Sequence, residues 1–206
     1  MNINIRADSV EIDGYVNSVE RKSRPLMSRM GKFVERICKG AFKRSLERDD
    51  DVRLLLNHDP SRDLGGTREG NLKLTEDNIG LHARATITDP EVVKKARNGD
   101  LTGWSFGFMD RDVEQKRDED GMPLRNVRDL DLKEVSLLDR TKTPAYDGTL
   151  VAVRADEQEL FIGESFSDDI NIRELEEVKE EPKQPETVDK DINYDEFEKL
   201  ISDMKS

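Results

Sequence analysis

The sequence predicts a mixed, mainly β fold: a compact antiparallel β-barrel decorated by a few helices, followed by an acidic C-terminal extension. Three observations lead there. Short extended segments recur through the first 154 residues, separated by turn signals such as Asp13-Gly14, Gly65-Gly66, Gly70-Asn71 and Asp120-Gly121. Only two stretches in that region carry helix signals. The charge also divides the chain: residues 155–206 hold 18 acidic and 6 basic side chains, leaving 28 of each sign in residues 1–154. A shift this abrupt marks a boundary near Arg154. The expected organisation is a domain at 1–154, an acidic linker at 155–190 that stays disordered, and a short amphipathic helix at 191–206.

Strands are expected at 10–19, 33–37, 52–58, 71–74, 81–87, 102–109, 130–138 and 150–153, each an apolar or alternating run bounded by turn residues. Helices are expected at 40–48 and 90–98. In the second, Asp89 can cap, Pro90 suits the first turn and Gly99 can end the helix. The segment 111–128 is dense in charge and contains Asp120-Gly121 and Pro123, which predicts an exposed, mobile loop. Past residue 154, pairs such as Glu176-Glu177 and Glu180-Glu181, then Pro182 and Pro185, offer too little apolar surface to offset ordering entropy. Tyr194, Phe197, Leu200, Ile201 and Met204 recur at the spacing of one helical face.

Several function classes fall away on composition. The apolar runs are far shorter than the roughly 20 residues a bilayer span needs, and the N-terminus has no basic-then-apolar leader, so a soluble chain with no membrane partner is expected. One cysteine, Cys38, excludes internal disulfides and a multi-cysteine zinc site. Two histidines, His58 and His82, are too few for a His-rich metal centre, and no metal or cofactor is expected. The net charge of -12 argues against a nucleic-acid partner, since phosphate binding draws on clustered Lys and Arg.

Candidate chemistry starts at Gly103-Trp104-Ser105-Phe106-Gly107. Strand alternation puts Trp104, Phe106 and Phe108 on one face, and Ser105 between two glycines on the other. That leaves room above the hydroxyl for a peptide carbonyl. A core strand whose glycines relieve crowding accounts for the same string, and the segment alone does not separate the two. The α/β-hydrolase nucleophile elbow has the same motif but needs its histidine after the serine, whereas both histidines here precede Ser105. His58 ends the apolar run 52–57 and precedes Asp59-Pro60, which puts an imidazole at the rim of a core; a structural histidine is the competing account. His82 shares a face with Arg84 and is expected to be exposed. In the run 130–138, Glu134 falls on the face of Leu130, Leu132 and Leu138, where a carboxylate needs a partner. An imidazole to orient or an arginine would each serve. Asp131, on the other face with Lys133, is expected to be solvated.

Taken in order, Val34-Glu35-Arg36-Ile37 and Gly40-Ala41-Phe42, Leu54-Leu55-Leu56-Asn57-His58-Asp59, Leu64-Gly65, the run 72–81, Gly103-Trp104-Ser105-Phe106-Gly107-Phe108, Glu134-Val135-Ser136-Leu137 and Thr143-Pro144-Ala145-Tyr146 resemble the tailed-phage prohead (capsid maturation) serine protease family, which is related to the herpesvirus assembly protease. The resemblance covers about residues 8–154. It implies a herpesvirus-protease-like fold and a serine endopeptidase with Ser105 as nucleophile, His58 as general base and Glu134 as third member. By position it also implies Arg140 as an oxyanion support, for which a salt bridge is an equally good account. The Asp139-Arg140-Thr141-Lys142 stretch departs from the family's commoner form. The implied partner is the major capsid protein with its scaffolding segment, met inside the immature procapsid in the host cytoplasm; self-cleavage is implied as well, and a homodimer is left open. On this reading the tail is a tether that docks on capsid or scaffold. The competing function is a nonenzymatic scaffolding or assembly protein on an inactive protease-like domain; a small-molecule esterase would share the serine but needs a deep apolar pocket.

Overall fold

The structure, a computed structural model, describes residues 1–28, 31–49, 51–141, 153–155, 158–162 and 171–174. Two sheets organise these residues. In the first, β13 (Asn171–Glu174), β1 (Asn2–Ile5), β2 (Val10–Ser18), β8 (Gly80–Ile87) and β7 (Leu72–Glu76) lie in that order. Alternation explains β2, where Val10, Ile12 and Val16 are buried while Glu11, Asp13 and Tyr15 face outward. In the second sheet the order is β11 (Val153–Ala155), β12 (Gln158–Ile162), β9 (Leu101–Arg117), β10 (Pro123–Asp139), β4 (Gly31–Ile37) and β3 (Leu26–Ser28). The strand β5 (Arg53–Leu56) also pairs with β10, and β6 (Asp59–Gly66) pairs with β5. These elements belong to one compact unit, Met1–Glu176.

The core lies under the aromatic face of β9. Trp104, Phe106 and Phe108 are fully buried, and Phe106 meets Phe42 edge to face with centroids 5.3 Å apart. Each such side chain contributes about 1.5–3 kcal/mol on burial. Phe42 comes from α1 (Ala41–Arg48), whose first turn has no side-chain cap of its own. Glu76 of β7 supplies one, accepting from the Gly40 and Lys43 amides at 2.5 and 2.7 Å. The second helix, α2 (Pro90–Arg97), is capped by the Asp89 side chain, which accepts from the Glu91 and Val92 amides.

The fold is mainly β with two helices among the described residues, but the sheets do not close into the expected barrel. Nor are they wholly antiparallel, because β10 runs parallel to β4 and, farther along, to β5. Alternating burial marks a sheet with one covered face and is indifferent to whether that sheet closes. The charged segment 111–128 is likewise not a loop. It extends β9 and β10 into a long ribbon in which opposite charges meet across the strands, Arg128 with Glu114 at 2.6 Å and Arg125 with Asp110 at 2.5 Å. Within 155–190, the stretch expected as a linker, β12 lies antiparallel to β9 and β13 lies parallel to β1. The expected terminal helix at 191–206, the Thr143-Pro144-Ala145-Tyr146 segment and most of the expected strand at 150–153 lie outside the described residues.

Candidate active site

The ribbon and the β5–β6 hairpin together build the site. The strand expected at 52–58 ends two residues early, at Leu56, and Leu56 pairs with Asp59, so Asn57 and His58 form a two-residue hairpin turn. Both have φ of 58°, the left-handed region at each central position that defines a type I′ turn. Asparagine tolerates that conformation, whereas for histidine it costs on the order of 1–3 kcal/mol unless neighbours hold it. Three hydrogen bonds to β10 do so. The Asn57 amide donates to the Leu137 carbonyl (2.8 Å), the Asn57 side-chain oxygen accepts from the Asp139 amide (3.0 Å), and the His58 amide donates to Ser136 Oγ (3.1 Å).

Held this way, the imidazole meets Glu134: His58 Nδ1 lies 2.7 Å from Oε1. A carboxylate at that distance makes Nδ1 the protonated nitrogen and leaves Nε2 with its lone pair. Glu134 is 5% exposed, so its charge has little water. Its second oxygen accepts from the Ser136 hydroxyl at 2.6 Å. Gly107, its cross-strand partner, makes room for it, since any Cβ at 107 would overlap Oε1. Ser105 is in register with Ser136, and so stands on the same face of the ribbon as Glu134, two residues along β9 from Gly107. Its residue is 1% exposed.

A cleft of about 510 Å³ adjoins the histidine, lined by Asn57, His58, Arg62, Glu91, Lys95 and Asp139 among others. Its wall is charged and paired. Lys95 Nζ lies 2.9 Å from Asp139 and 3.1 Å from Glu91, and Arg62 lies 2.5 Å from Glu91. Burial works to raise the Asp139 carboxyl, but hydrogen bonds from Thr141, Lys95 and Asn57 outweigh it and hold the group well below the usual carboxylate range. The Lys95 ammonium is raised, chiefly by its hydrogen bonds to Asp139 and Glu91.

The remaining candidates sort themselves by position. His82 lies on β8 of the other sheet, 3.2 Å from Asp13, with Arg84 at 2.8 Å from the same carboxylate. Asp131 pairs with Arg48 and Arg111 on the ribbon's outer face. The Arg140 side chain is 67% exposed and its guanidinium lies 3.7 Å from Asp100. Two contributors escaped the sequence reading. Ser136 carries a signal in hindsight, a hydroxyl two residues after Glu134 and therefore on the same buried face. Asn57 carries another, since asparagine is a preferred first residue of a type I′ turn.

A family model described as caudovirus prohead serine protease matches residues 1–161, a span holding the ribbon, the hairpin and every candidate site residue. No curated protein and no solved structure matches the chain. With more than three quarters of its length matched, the chain belongs to the caudovirus prohead serine protease family.

Proposed function

We propose that this member of the family is a capsid-maturation endopeptidase working through Ser105, His58 and Glu134. It cleaves the scaffolding segment of the major capsid protein, and itself, inside the procapsid. The observation that carries the reading is the 2.7 Å contact between His58 and Glu134, on the same ribbon face as Ser105. His58 Nε2 takes the Ser105 proton as Oγ attacks the scissile carbonyl. The imidazolium gives that proton to the leaving amine, and water then hydrolyses the acyl-enzyme along the reverse route. Glu134 holds the imidazole in the Nδ1–H form and stabilises its cation. Backbone amides hold the developing oxyanion. Arg140 joins them only by leaving Asp100, so its loss costs less than the 100- to 1,000-fold typical of a fixed oxyanion donor.

Co-expression with the matching capsid subunit tests this. Wild type yields a shortened capsid band and a shortened protease; Ser105→Ala and His58→Ala leave both at full length, and Glu134→Gln lowers the rate about 10,000-fold. Uncut capsid with the wild-type chain supports the nonenzymatic assembly reading instead. Cleavage that survives His58→Ala and fails in His82→Ala overturns the assignment of the base.

A further inference from the structure

The charged wall of the cleft beside His58 connects to the imidazole through groups that the proposed reaction does not use. α2 is fixed from behind, because Val92, Val93 and Ala96 are buried in the core. The same helix carries Glu91 and Lys95, one turn apart and 3.1 Å from each other. Each reaches one flank of the Asn57-His58 turn. Glu91 meets Arg62 at 2.5 Å, on β6, the strand that leaves the turn. Lys95 Nζ meets Asp139 Oδ2 at 2.9 Å, at the end of β10. Asp139 in turn holds Asn57 twice, its amide donating to Asn57 Oδ1 at 3.0 Å and its carboxylate being hydrogen-bonded to the Asn57 side chain. His58, the next residue, has a φ of 58°, which a histidine keeps only where its surroundings impose it.

We infer that Lys95 is a positioning residue: through Asp139 and Asn57 it fixes the turn that presents the His58 imidazole to Glu134, so that α2 braces the proposed base from outside the ribbon. The inference rests on the reading of His58 as the base, and adds to it the residues that hold His58 in place. The Asp139 side chain is 2% exposed and that of Lys95 19%, so each ion compensates a partner that has little water. Such a pair has few alternative geometries, because either member moved alone is left as an uncompensated charge. It therefore passes the fixed position of a packed helix to a strained two-residue turn. The shifts of both groups favour their charged forms, so the pair persists across the neutral range.

The test uses the full chain, with Ser105→Ala for spectroscopy and with Ser105 in place for kinetics. The proton that His58 Nδ1 donates to Glu134 across 2.7 Å is expected to exchange slowly with water and to resonate at low field, and its resonance is assigned by its loss in His58→Gln. Lys95→Met keeps a long side chain that suits a helix and removes the charge. It is expected to broaden or abolish the resonance and to lower kcat on the purified capsid subunit by about 10- to 100-fold, the effect of a misplacement of up to about 1 Å, with KM little changed. Lys95→Arg, which keeps a cation, recovers part of both, and Lys94→Met, at an exposed lysine of the same helix, changes neither. Where Lys95→Met does not fold, Lys95→Met with Asp139→Asn leaves no uncompensated charge; it is expected to unfold near the wild-type urea midpoint and still to lack the resonance and the turnover. A folded variant without Lys95 that keeps both the resonance and the wild-type kcat overturns the inference, as does absence of the resonance from the parent chain. A rise in KM at unchanged kcat also overturns it, since Lys95 would then bind substrate. The catalytic reading fails separately: if no chain cuts the capsid subunit while the resonance is present with Lys95 and lost without it, the brace stands and His58 is not a working base.

Discussion

In the β9–β10 ribbon, the half nearest the site, residues 101–109 against 130–139, buries Trp104, Phe106, Phe108, Leu130, Leu132, Val135 and Leu137 and sets Ser105, Glu134 and Ser136 among them. The outer half, residues 110–117 against 123–129, is built largely of charged side chains that pair across the strands. The backbone is continuous through both. What changes is the balance of cohesion: burial dominates the first half, whereas in the second cross-strand charge pairing joins the burial of Leu124, Asn126 and Val127. Burial holds catalytic side chains tightly, because a packed interior has few alternative arrangements. A charge ladder in water is more permissive, and no proposed catalytic residue lies on it. The outer half is not wholly of that kind: Leu124, Asn126 and Val127 of β10 are buried, and Arg125 among them lies 3.6 Å from buried Glu35 on β4 and 2.5 Å from Asp110.

The sharpest way to break this contrast is to disturb packing in the inner half without replacing a proposed catalytic residue. Gly107→Ala puts a methyl where Glu134 Oε1 sits. Overpacking of this kind costs about 1–3 kcal/mol of stability. A displacement of about 1 Å in the orienting carboxylate lowers turnover about 100-fold. Urea unfolding and the rate of capsid-subunit cleavage measure the two effects. A variant as stable and active as wild type would mean that Glu134 is not tightly held.

The inner half was the legible one, for the same reason. Alternation of aromatic and small residues fixed both the strand and the face of Ser105, but it failed for Glu134: a register shift between Leu132 and Glu134 turns Glu134 away from the face of Leu130 and Leu132 and onto the face of Gly107 and Ser105. The outer half defeated that rule, because residues 111–128 have no apolar stripe. Their strand character comes from partners such as Glu114 for Arg128, which one segment read by itself does not display. The turn at Asn57-His58 hid for a related reason. The apolar run before it predicts a strand, but the place where that strand ends is set by hydrogen bonds it makes with Ser136, Leu137 and Asp139, some 80 residues away. The hairpin with β6 and the parallel pairing with β10 are likewise contacts remote in sequence.

Glu35 tests the buried part of the outer half. Burial raises its carboxyl to about 7 against the pull of Arg125, with Asp110 pushing the same way as burial. The folded chain therefore binds more protons than the unfolded one between about pH 4.5 and 7. The stabilising effect of the neutral acid is complete below that window and is lost as the pH rises through it. Glu35→Gln is expected to unfold at nearly the wild-type urea concentration at pH 5. At pH 8 it gains up to about 3 kcal/mol over wild type, from the size of the shift at 1.36 kcal/mol per pH unit. A gap that does not widen with pH would show that Arg125 keeps Glu35 ionised.

Ser136→Ala probes the inner half more gently. It removes the donor to Glu134 Oε2 and the acceptor of the His58 amide, while the 2.7 Å contact between the two proposed catalytic side chains stays possible. An orphaned buried group costs about 1–3 kcal/mol. The expected result is a tenfold lower turnover with little change in KM, and partial recovery in Ser136→Thr, which restores a hydroxyl. If Ser136→Ala loses stability but keeps its turnover, Ser136 supports the hairpin and not the orientation of the dyad.

The smallest effect is expected where the ladder meets water. Arg111 contacts both oxygens of Asp131 at 3.0 and 3.2 Å, but its side chain is half exposed and Arg48 contacts the same carboxylate. Exposed pairs of this kind contribute about 0–1 kcal/mol, and ions screen them. Arg111→Ala should therefore lower the urea midpoint slightly in dilute buffer and hardly at all in 1 M salt, where the screening length falls to about 3 Å, with capsid cleavage unchanged. A loss as large as that of Gly107→Ala, persisting in salt, would mean that the outer half is held by packing after all. The division of the ribbon into a buried, site-bearing half and a charge-paired half would then have to be abandoned.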